Sequence, residues 1–299
     1  MKIEPYSFQN IYVICTYKCN WKCEFCLFRY NEEKEAAIDE MMHRIEYSIR
    51  DSKRKVYIKI TGGEPFLKIG LLKAIFKLSE KYHDKVYKIG IGTNGSMPLP
   101  TFFNNTSIRT HIFLSRHHIK DILPTPLELG YAVDNELIDF RANCNLISGL
   151  VDNVSKIEEY ISEKYSSTGI DHFCFRELSA IGLDTNSMYP QYVHDYIDYY
   201  NKHVIFLSDI EQQLANDKRF RCSRTTGNYY DINRWYWYTY GNKKISVKFR
   251  SINEIKLIDY NKNIDPDKVD EYVVHPDGTL TGCWDKDLKI IMKGGQYYA

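Results

Sequence analysis

The stretch Cys15-Thr16-Tyr17-Lys18-Cys19-Asn20-Trp21-Lys22-Cys23-Glu24-Phe25-Cys26 constrains this chain more than any other, because it gathers half of the eight cysteines. Four small thiols on one short loop contribute little to packing, whereas thiolates that meet at one place are what a soft metal centre requires. Two centres compete for the loop. Zinc takes four protein ligands, usually as two Cys-x2-4-Cys pairs set well apart, and the nearby candidate for a fourth ligand is Cys15. An iron-sulfur cluster can be held by Cys19, Cys23 and Cys26 alone, which leaves one of its four irons open to a small molecule.

The surrounding chain is ordinary for a globular protein. At 299 residues and 43% hydrophobic content it can bury one large core or two modest ones. Forty basic against thirty-nine acidic residues give no global attraction to a nucleic-acid polymer or a membrane surface. Met1-Lys2-Ile3-Glu4-Pro5 carries no apolar signal-peptide core, and no apolar run approaches the length of a bilayer span. The expected location is cytoplasmic, where thiols stay reduced and a cluster can be assembled.

Strand-like and helix-like segments alternate along the chain, which predicts a parallel sheet with helices packed outside it. Ile11 to Ile14 forms a first strand that delivers the cysteine loop at its carboxyl end, where sites in α/β folds lie. Residues from about Lys34 to Ser52 place Ala37, Met41, Ile45 and Ile49 on one helical face. Lys55 to Ile60 is the second strand and runs into Thr61-Gly62-Gly63-Glu64-Pro65. Paired glycines at a strand end let the backbone approach a ligand closely, and Glu64 adds a carboxylate, although such pairs also punctuate ordinary turns. A second helix spans about Leu71 to Tyr82. Val86 to Ile91 is the third strand, ending in Gly92-Thr93-Asn94-Gly95, and His111 to Leu114 the fourth, ending in Ser115-Arg116-His117-His118. The Arg-His-His cluster fits a solvated loop, a metal site or substrate-facing acid-base groups; adjacent side chains diverge, so binding of one metal by both histidines ranks last, and His117 or His118 is expected to line a pocket.

In the fifth strand, about Leu137 to Ile147, alternation puts Arg141, Asn143 and Asn145 on one face and Ala142 and Cys144 on the other. Three polar groups on one face are costly against helices but suit the inside of a barrel lined by a polar ligand. A further helix carries Val154, Ile157 and Ile161, and the sixth strand, His172 to Phe175, ends in Arg176-Glu177-Leu178. Residues 189 to 216 have helical composition and are expected to close the side or mouth of the barrel. Beyond Arg221 short strands take over: Arg234 to Tyr240 and Lys244 to Phe249 read as an aromatic hairpin turned at Gly241-Asn242, and Val273 to Thr281 as a second hairpin. Cross-strand aromatic pairs of this kind more often stabilise a small sheet than stack on a substrate.

The spacing Cys19-x3-Cys23-x2-Cys26, with Phe25 before the last cysteine and Gly62-Gly63-Glu64 at the end of the next strand, resembles the radical S-adenosylmethionine (radical SAM) superfamily. The fifth strand is similar to that of the molybdenum cofactor biosynthesis members, where a basic residue and an asparagine two positions later sit in the active site. The resemblance implies an α/β partial (β/α)6 barrel over residues 8–180, a helical connection over 181–220, and a hairpin-rich capping region, mostly β with some α+β character, over 221–299. It implies a [4Fe-4S] cluster on Cys19, Cys23 and Cys26, with S-adenosyl-L-methionine (SAM) on the open iron. Phe25, Gly62, Gly63, Glu64, Thr93 (preferred to Asn94), Ser115, Asn143 and Arg176 are then expected around the cofactor. Arg141, His117 and Cys283, the last as a hydrogen-atom donor, are the candidate catalytic residues. Cys222 and Cys283 lie far apart without a Cys-x2-Cys pair, so a second, fully cysteine-ligated cluster is not supported. The family chemistry is reductive cleavage of SAM and hydrogen abstraction from a small-molecule or nucleotide substrate, with a ribosomally made peptide as the alternative. The electron donor would be a protein such as flavodoxin or ferredoxin. From another class, a zinc-binding interaction protein fits the cysteine loop alone.

Overall fold

The computed structural model describes residues 7–26, 28, 34–130, 136–179, 193–228, 231–252, 269–284, 286 and 289–295. Six strand units succeed one another as the alternation predicts: β1 (Gln9–Ile14), β2 (Val56–Thr61), β3 (Val86–Thr93), β4 (Thr110–Ser115), β5 (Ile138–Asn145) and β6 (His172–Arg176). Between and after them run α1 (Ile38–Asp51), α2 (Ile69–Lys81), α3 (Val154–Thr168), α4 (Val193–His203) and α5 (Leu207–Ala215). The helix boundaries follow local chemistry. Asn153 caps α3 by accepting from the Lys156 N–H at 3.0 Å, and Gly169, at φ 73°, ends it in the left-handed conformation that glycine adopts without steric cost. The first helix begins at Ile38 rather than near Lys34, because the Ala36 N–H bonds to the Pro276 carbonyl at 2.7 Å and keeps the preceding residues out of the helix.

The C-terminal strands are β7 (Phe220–Gly227), β8 (Asp231–Tyr240), β9 (Lys243–Ile252), β10 (Glu271–Val274), β11 (Leu280–Thr281) and β12 (Ile290–Met292). Both hairpins form, β8 with β9 and β10 with β11. They join the same sheet at opposite edges. β9 pairs parallel to β6 and β10 pairs parallel to β1, giving the order β12-β11-β10-β1-β2-β3-β4-β5-β6-β9-β8-β7. Among the described residues the two outer strands do not pair, so the sheet curves into an open, partial barrel.

The two faces of this sheet differ sharply in chemistry. Ile11, Val13, Ile58, Ile60, Ile89, Ile91, Ile112 and Leu114 belong to the apolar core that also contains Met41, Ile45 and Ile49 of α1 and Leu72 and Ile75 of α2. The opposite face carries polar side chains in register. One row runs Ser115, Asn143, Cys174, Lys248 and Trp235, and the next runs Asn145, Arg176, Arg250 and Asn233. Aromatic rings of the C-terminal hairpin pair with one another and with the sheet, Phe220 stacked on Tyr238 at 4.5 Å and Tyr236 edge-on to Phe249 at 5.5 Å. No helix among the described residues is long and apolar enough to cross a membrane.

Arg44 pins α1 to the C-terminal edge. Only 2% exposed, it donates to the Gly278 carbonyl at 3.1 Å and to the Lys293 carbonyl at 3.2 Å. Removing it strands buried acceptors, so Arg44→Met is expected to lower the unfolding free energy by about 2–4 kcal/mol in a denaturant titration.

Candidate active site

The site begins at the exits of β1 and β2. The parallel ladder continues past both strands: Cys15 N–H donates to the Thr61 carbonyl at 3.0 Å, Gly63 N–H to Thr16 at 2.7 Å and Glu64 N–H to Lys18 at 2.9 Å. The two glycines make this possible. Gly62 sits at φ 125°, and a Cβ there would lie 2.3 Å from the Thr16 carbonyl oxygen; a Cβ on Gly63 would lie 2.0 Å from that of Lys18. The pair therefore seats the cysteine loop. Glu35 clamps it from the other side, accepting from the Thr16 hydroxyl and from Lys68.

Glu64 is fully buried and faces inward. Its carboxylate accepts from the Phe66 N–H at 3.0 Å, the Thr93 hydroxyl at 2.8 Å and the Asn94 N–H at 2.8 Å, locking the end of β2 to the end of β3. Burial pushes its pKa upward, and those donors offset the rise only in part. Thr93, ranked above Asn94 from sequence, is 3% exposed, and its hydroxyl is held between Glu64 and the Gly95 N–H. Asn94 is the residue that reaches the loop: its amide nitrogen lies 2.8 Å from Asn20 Oδ1 and 3.8 Å from Cys19 Sγ. Asn94 reaches the loop and Thr93 does not because Thr93 shares the alternation that turns Ile89 and Ile91 into the core, while Asn94 leaves the strand.

The donor set suits an anionic iron-sulfur centre. Cys19 Sγ accepts from the Trp21 N–H at 3.4 Å as well as lying beside Asn94, and Cys23 and Cys26 are joined by a turn, Cys26 N–H to the Cys23 carbonyl at 3.1 Å. Arg116, buried at 5% exposure, lies 4.7 Å from the centre of the Trp21 ring and feels the charge of Cys23. Hydrogen bonds to sulfur and the positive surroundings of a cluster tune its reduction potential. Among the described residues no three His, Cys, Asp or Glu side chains gather tightly enough to hold a single metal ion. A four-iron cluster takes each thiolate on a different iron.

A cavity of about 280 Å³ separates the cysteine loop from the carboxyl ends of β4, β5, β6 and β9, near the lower end of small-molecule pockets. Phe25, Cys26, Ser115, His117, Asn143, Asn145, Arg176, Arg250 and Tyr196 of α4 are among its walls. Sequence reasoning thus brings Phe25, Cys26, Ser115, His117, Asn143 and Arg176 together. His117 packs edge-on against Phe25 at 4.5 Å and accepts the Asn145 N–H on Nδ1 at 2.9 Å, which fixes the neutral tautomer with its proton on Nε2. Burial lowers its pKa to about 3, so it presents a hydrogen-bond donor rather than a base near neutral pH. Arg141 stands outside the cavity lining, its Nε bonded to Asn143 Oδ1 at 3.0 Å and its guanidinium 4.0 Å from the Phe113 ring centre. Cys283 is not brought to this wall; it is buried in the turn after β11, where its carbonyl accepts from Thr281.

Sequence reasoning missed Lys248, Arg250 and Cys174. The signal was present for the first two: in β9 Ser246, Lys248 and Arg250 alternate with Val247 and Phe249, the same period that picked out β5. The inner face is electrostatically loaded. Burial lowers Lys59 to about 7 and Lys88 to about 8. Burial pushes the Cys174 thiol up, but Lys248, Arg141, Arg176 and Arg250 outweigh it and draw it down to about 6.

Two consequences are measurable. Gly63→Ala forces a methyl group onto the Lys18 carbonyl, and is expected to lower stability by about 3 kcal/mol and to reduce the iron retained after reconstitution, read by melting and iron assay. Between pH 7 and pH 9 the folded chain binds fewer protons at Lys59, Lys88 and Cys174 than the unfolded chain does, so stability rises with pH across that window. A gain of at least about 1 kcal/mol by urea unfolding is expected, reduced in Lys59→Met; a fall would contradict it.

Comparison with known proteins agrees with this geometry. The family model described as the radical SAM superfamily matches residues 13–105. The chain is 25% identical over 179 residues to a protein of Methanocaldococcus jannaschii named as a glycyl-radical enzyme activating enzyme, covering 54% of this chain and 67% of that one. It is 32% identical over 90 residues to the GTP 3',8-cyclase of Helicobacter pylori, 28% of this chain and 27% of the cyclase, so it spans about a quarter of that relative's length. A solved structure described as native anSMEcpe with bound AdoMet has the same fold, with a TM-score of 0.53 at 14% identity, covering 94% of this chain and 78% of the other. The cysteine triad, the glycine pair and Asn94 all fall within residues 13–105, the part of this chain that is similar to the radical SAM superfamily.

Proposed function

We propose that this chain is a radical SAM enzyme acting on a small molecule or nucleotide within the open barrel, with Cys19, Cys23 and Cys26 holding a [4Fe-4S] cluster and SAM on its open iron. The observation that carries this reading is the shared cavity: Phe25 and Cys26 from the cysteine loop face Ser115, Asn143 and Arg176 across it. When bound, the reduced cluster and SAM supply a 5'-deoxyadenosyl radical that abstracts hydrogen from the substrate.

The chain's own work is positional. Gly62 and Gly63 hold the cysteine loop against β2, and Glu64 with Thr93 fixes β3 beside it. Ser115, Asn143 and Arg176 offer polar contacts to the cofactor and the near end of the substrate. His117 offers its Nε2–H, and Phe25 and Tyr196 contribute aromatic surface to the cavity wall. Arg141 orients Asn143 through their hydrogen bond. An electron donor such as flavodoxin or ferredoxin would approach where Cys19 and Trp21 are exposed.

The test is anaerobic reconstitution with iron and sulfide, then dithionite and SAM, with 5'-deoxyadenosine quantified. Wild type is expected to form it and Cys23→Ala to form less than about a hundredth as much, a loss of roughly 2.7 kcal/mol or more in barrier terms. A colourless protein that binds zinc tightly and forms no product would sink the proposal.

A further inference from the structure

We infer that the inner face where β5, β6 and β9 meet is an anion subsite, and that the substrate carries a phosphoryl group with at least two negative charges that docks on Arg141, Arg176 and Lys248. This rests on the reading above that the substrate sits inside the barrel.

The sheet register builds the subsite. Asn143, Cys174 and Lys248 are lateral neighbours in one row, and Asn145, Arg176 and Arg250 in the next. Arg141 leans toward the first row through its bond to Asn143. Arg250 is already matched, held by both Asp231 oxygens at 2.8 and 3.0 Å. Among the described residues, Arg141, Arg176 and Lys248 are in no salt bridge. Their contacts are of another kind. Arg141 lies over Phe113 at 4.0 Å and Lys248 over Trp235 at 5.5 Å, while Arg176 Nε is buried with no hydrogen-bond partner.

Three like charges on adjacent strands repel one another, and Lys248 is only 8% exposed. Burial first, then Arg141 and the other guanidinium groups, drives its pKa well down, with Cys174 the main opposing influence. The same cations draw the Cys174 thiol down to about 6 against the effect of its burial, and a single thiolate there leaves Arg141 and Arg176 a net positive patch. A carboxylate on a ligand would neutralise one charge more. A phosphate ester or diphosphate neutralises two or three, and its oxygens match the guanidinium forks of Arg141 and Arg176 and accept from the Lys248 amine, which an adjacent anion holds protonated. Arg176 also borders the cavity beside Asn143, so an anion held here leaves the rest of a small molecule beside the cysteine loop.

Pyrophosphate is the probe, titrated calorimetrically into the anaerobically reconstituted full chain, with and without saturating SAM. Wild type is expected to bind it in both conditions, with affinity falling as salt rises. Lys248→Met and Arg141→Met are each expected to weaken binding at least tenfold, and Lys248→Met to melt no lower than wild type without ligand, since it removes a buried amine that has no carboxylate partner. The inference is overturned if wild type does not bind pyrophosphate, or if the variants bind it unchanged. It is equally overturned if SAM abolishes binding, which would give these cations to the cofactor's carboxylate, or if malonate binds and pyrophosphate does not. Melting of both variants far below wild type would make the cations structural and overturn it too. Binding is read without turnover, so failure to form 5'-deoxyadenosine would count against the proposed reaction and leave this result standing on its own.

Discussion

Everything at the active site depends on a short extension of a β-ladder beyond its strands. Three backbone hydrogen bonds, from Cys15, Gly63 and Glu64, tie the loop that carries the cysteines to the turn that carries the glycines. No side chain fits between these two backbones, so the turn has to be glycine at two successive positions. Glu64 then spends its carboxylate on β3, and β3 releases Asn94 to the sulfur of Cys19. A ligand loop, a joint and a second strand are thereby fixed with respect to one another before any cofactor arrives, which is the preorganisation that a reactive centre needs.

The remaining half of the site is governed by charge on the barrel's inner wall. Lining a sheet with Lys59, Lys88, Arg141, Arg176, Lys248 and Arg250 is unfavourable in a dry interior, and the fold offsets part of that cost in several ways. Asp231 takes Arg250 bidentate, Tyr12 accepts from Lys59 at 3.0 Å, and aromatic faces lie under Arg141, Lys88 and Lys248. Arg176 is only half-buried. Such a surface is poor as a core and well suited to a charged ligand.

Much of this was legible from residue order because local chemistry sets it. The glycine pair followed by Glu64, the alternation of Arg141, Asn143 and Asn145, and the Gly241-Asn242 hairpin are written at fixed spacings, and the structure forms the corresponding turn, polar strand face and hairpin. That Asn94 rather than Thr93 lies beside Cys19 depends on where β3 leaves the sheet, a property of the neighbouring strand as much as of its own residues. Arg116 was visible as a charge next to two histidines, but its place beside Trp21 and Cys23 depends on β4 ending opposite the cysteine loop.

The sequence by itself determined the cysteine loop, the glycine joint and the alternating strands and helices, because metal ligation, glycine backbones and hydrophobic periodicity are properties of neighbours along the chain. Only the tertiary structure decided which inner-face charges meet. Lys248 and Arg250 lie far along the chain from Arg141 and Arg176, and they meet because β9 pairs parallel to β6, while β10 crosses to the far edge and pairs with β1. Strand pairing between distant segments is selected by the closure of the whole sheet, and no local spacing encodes it.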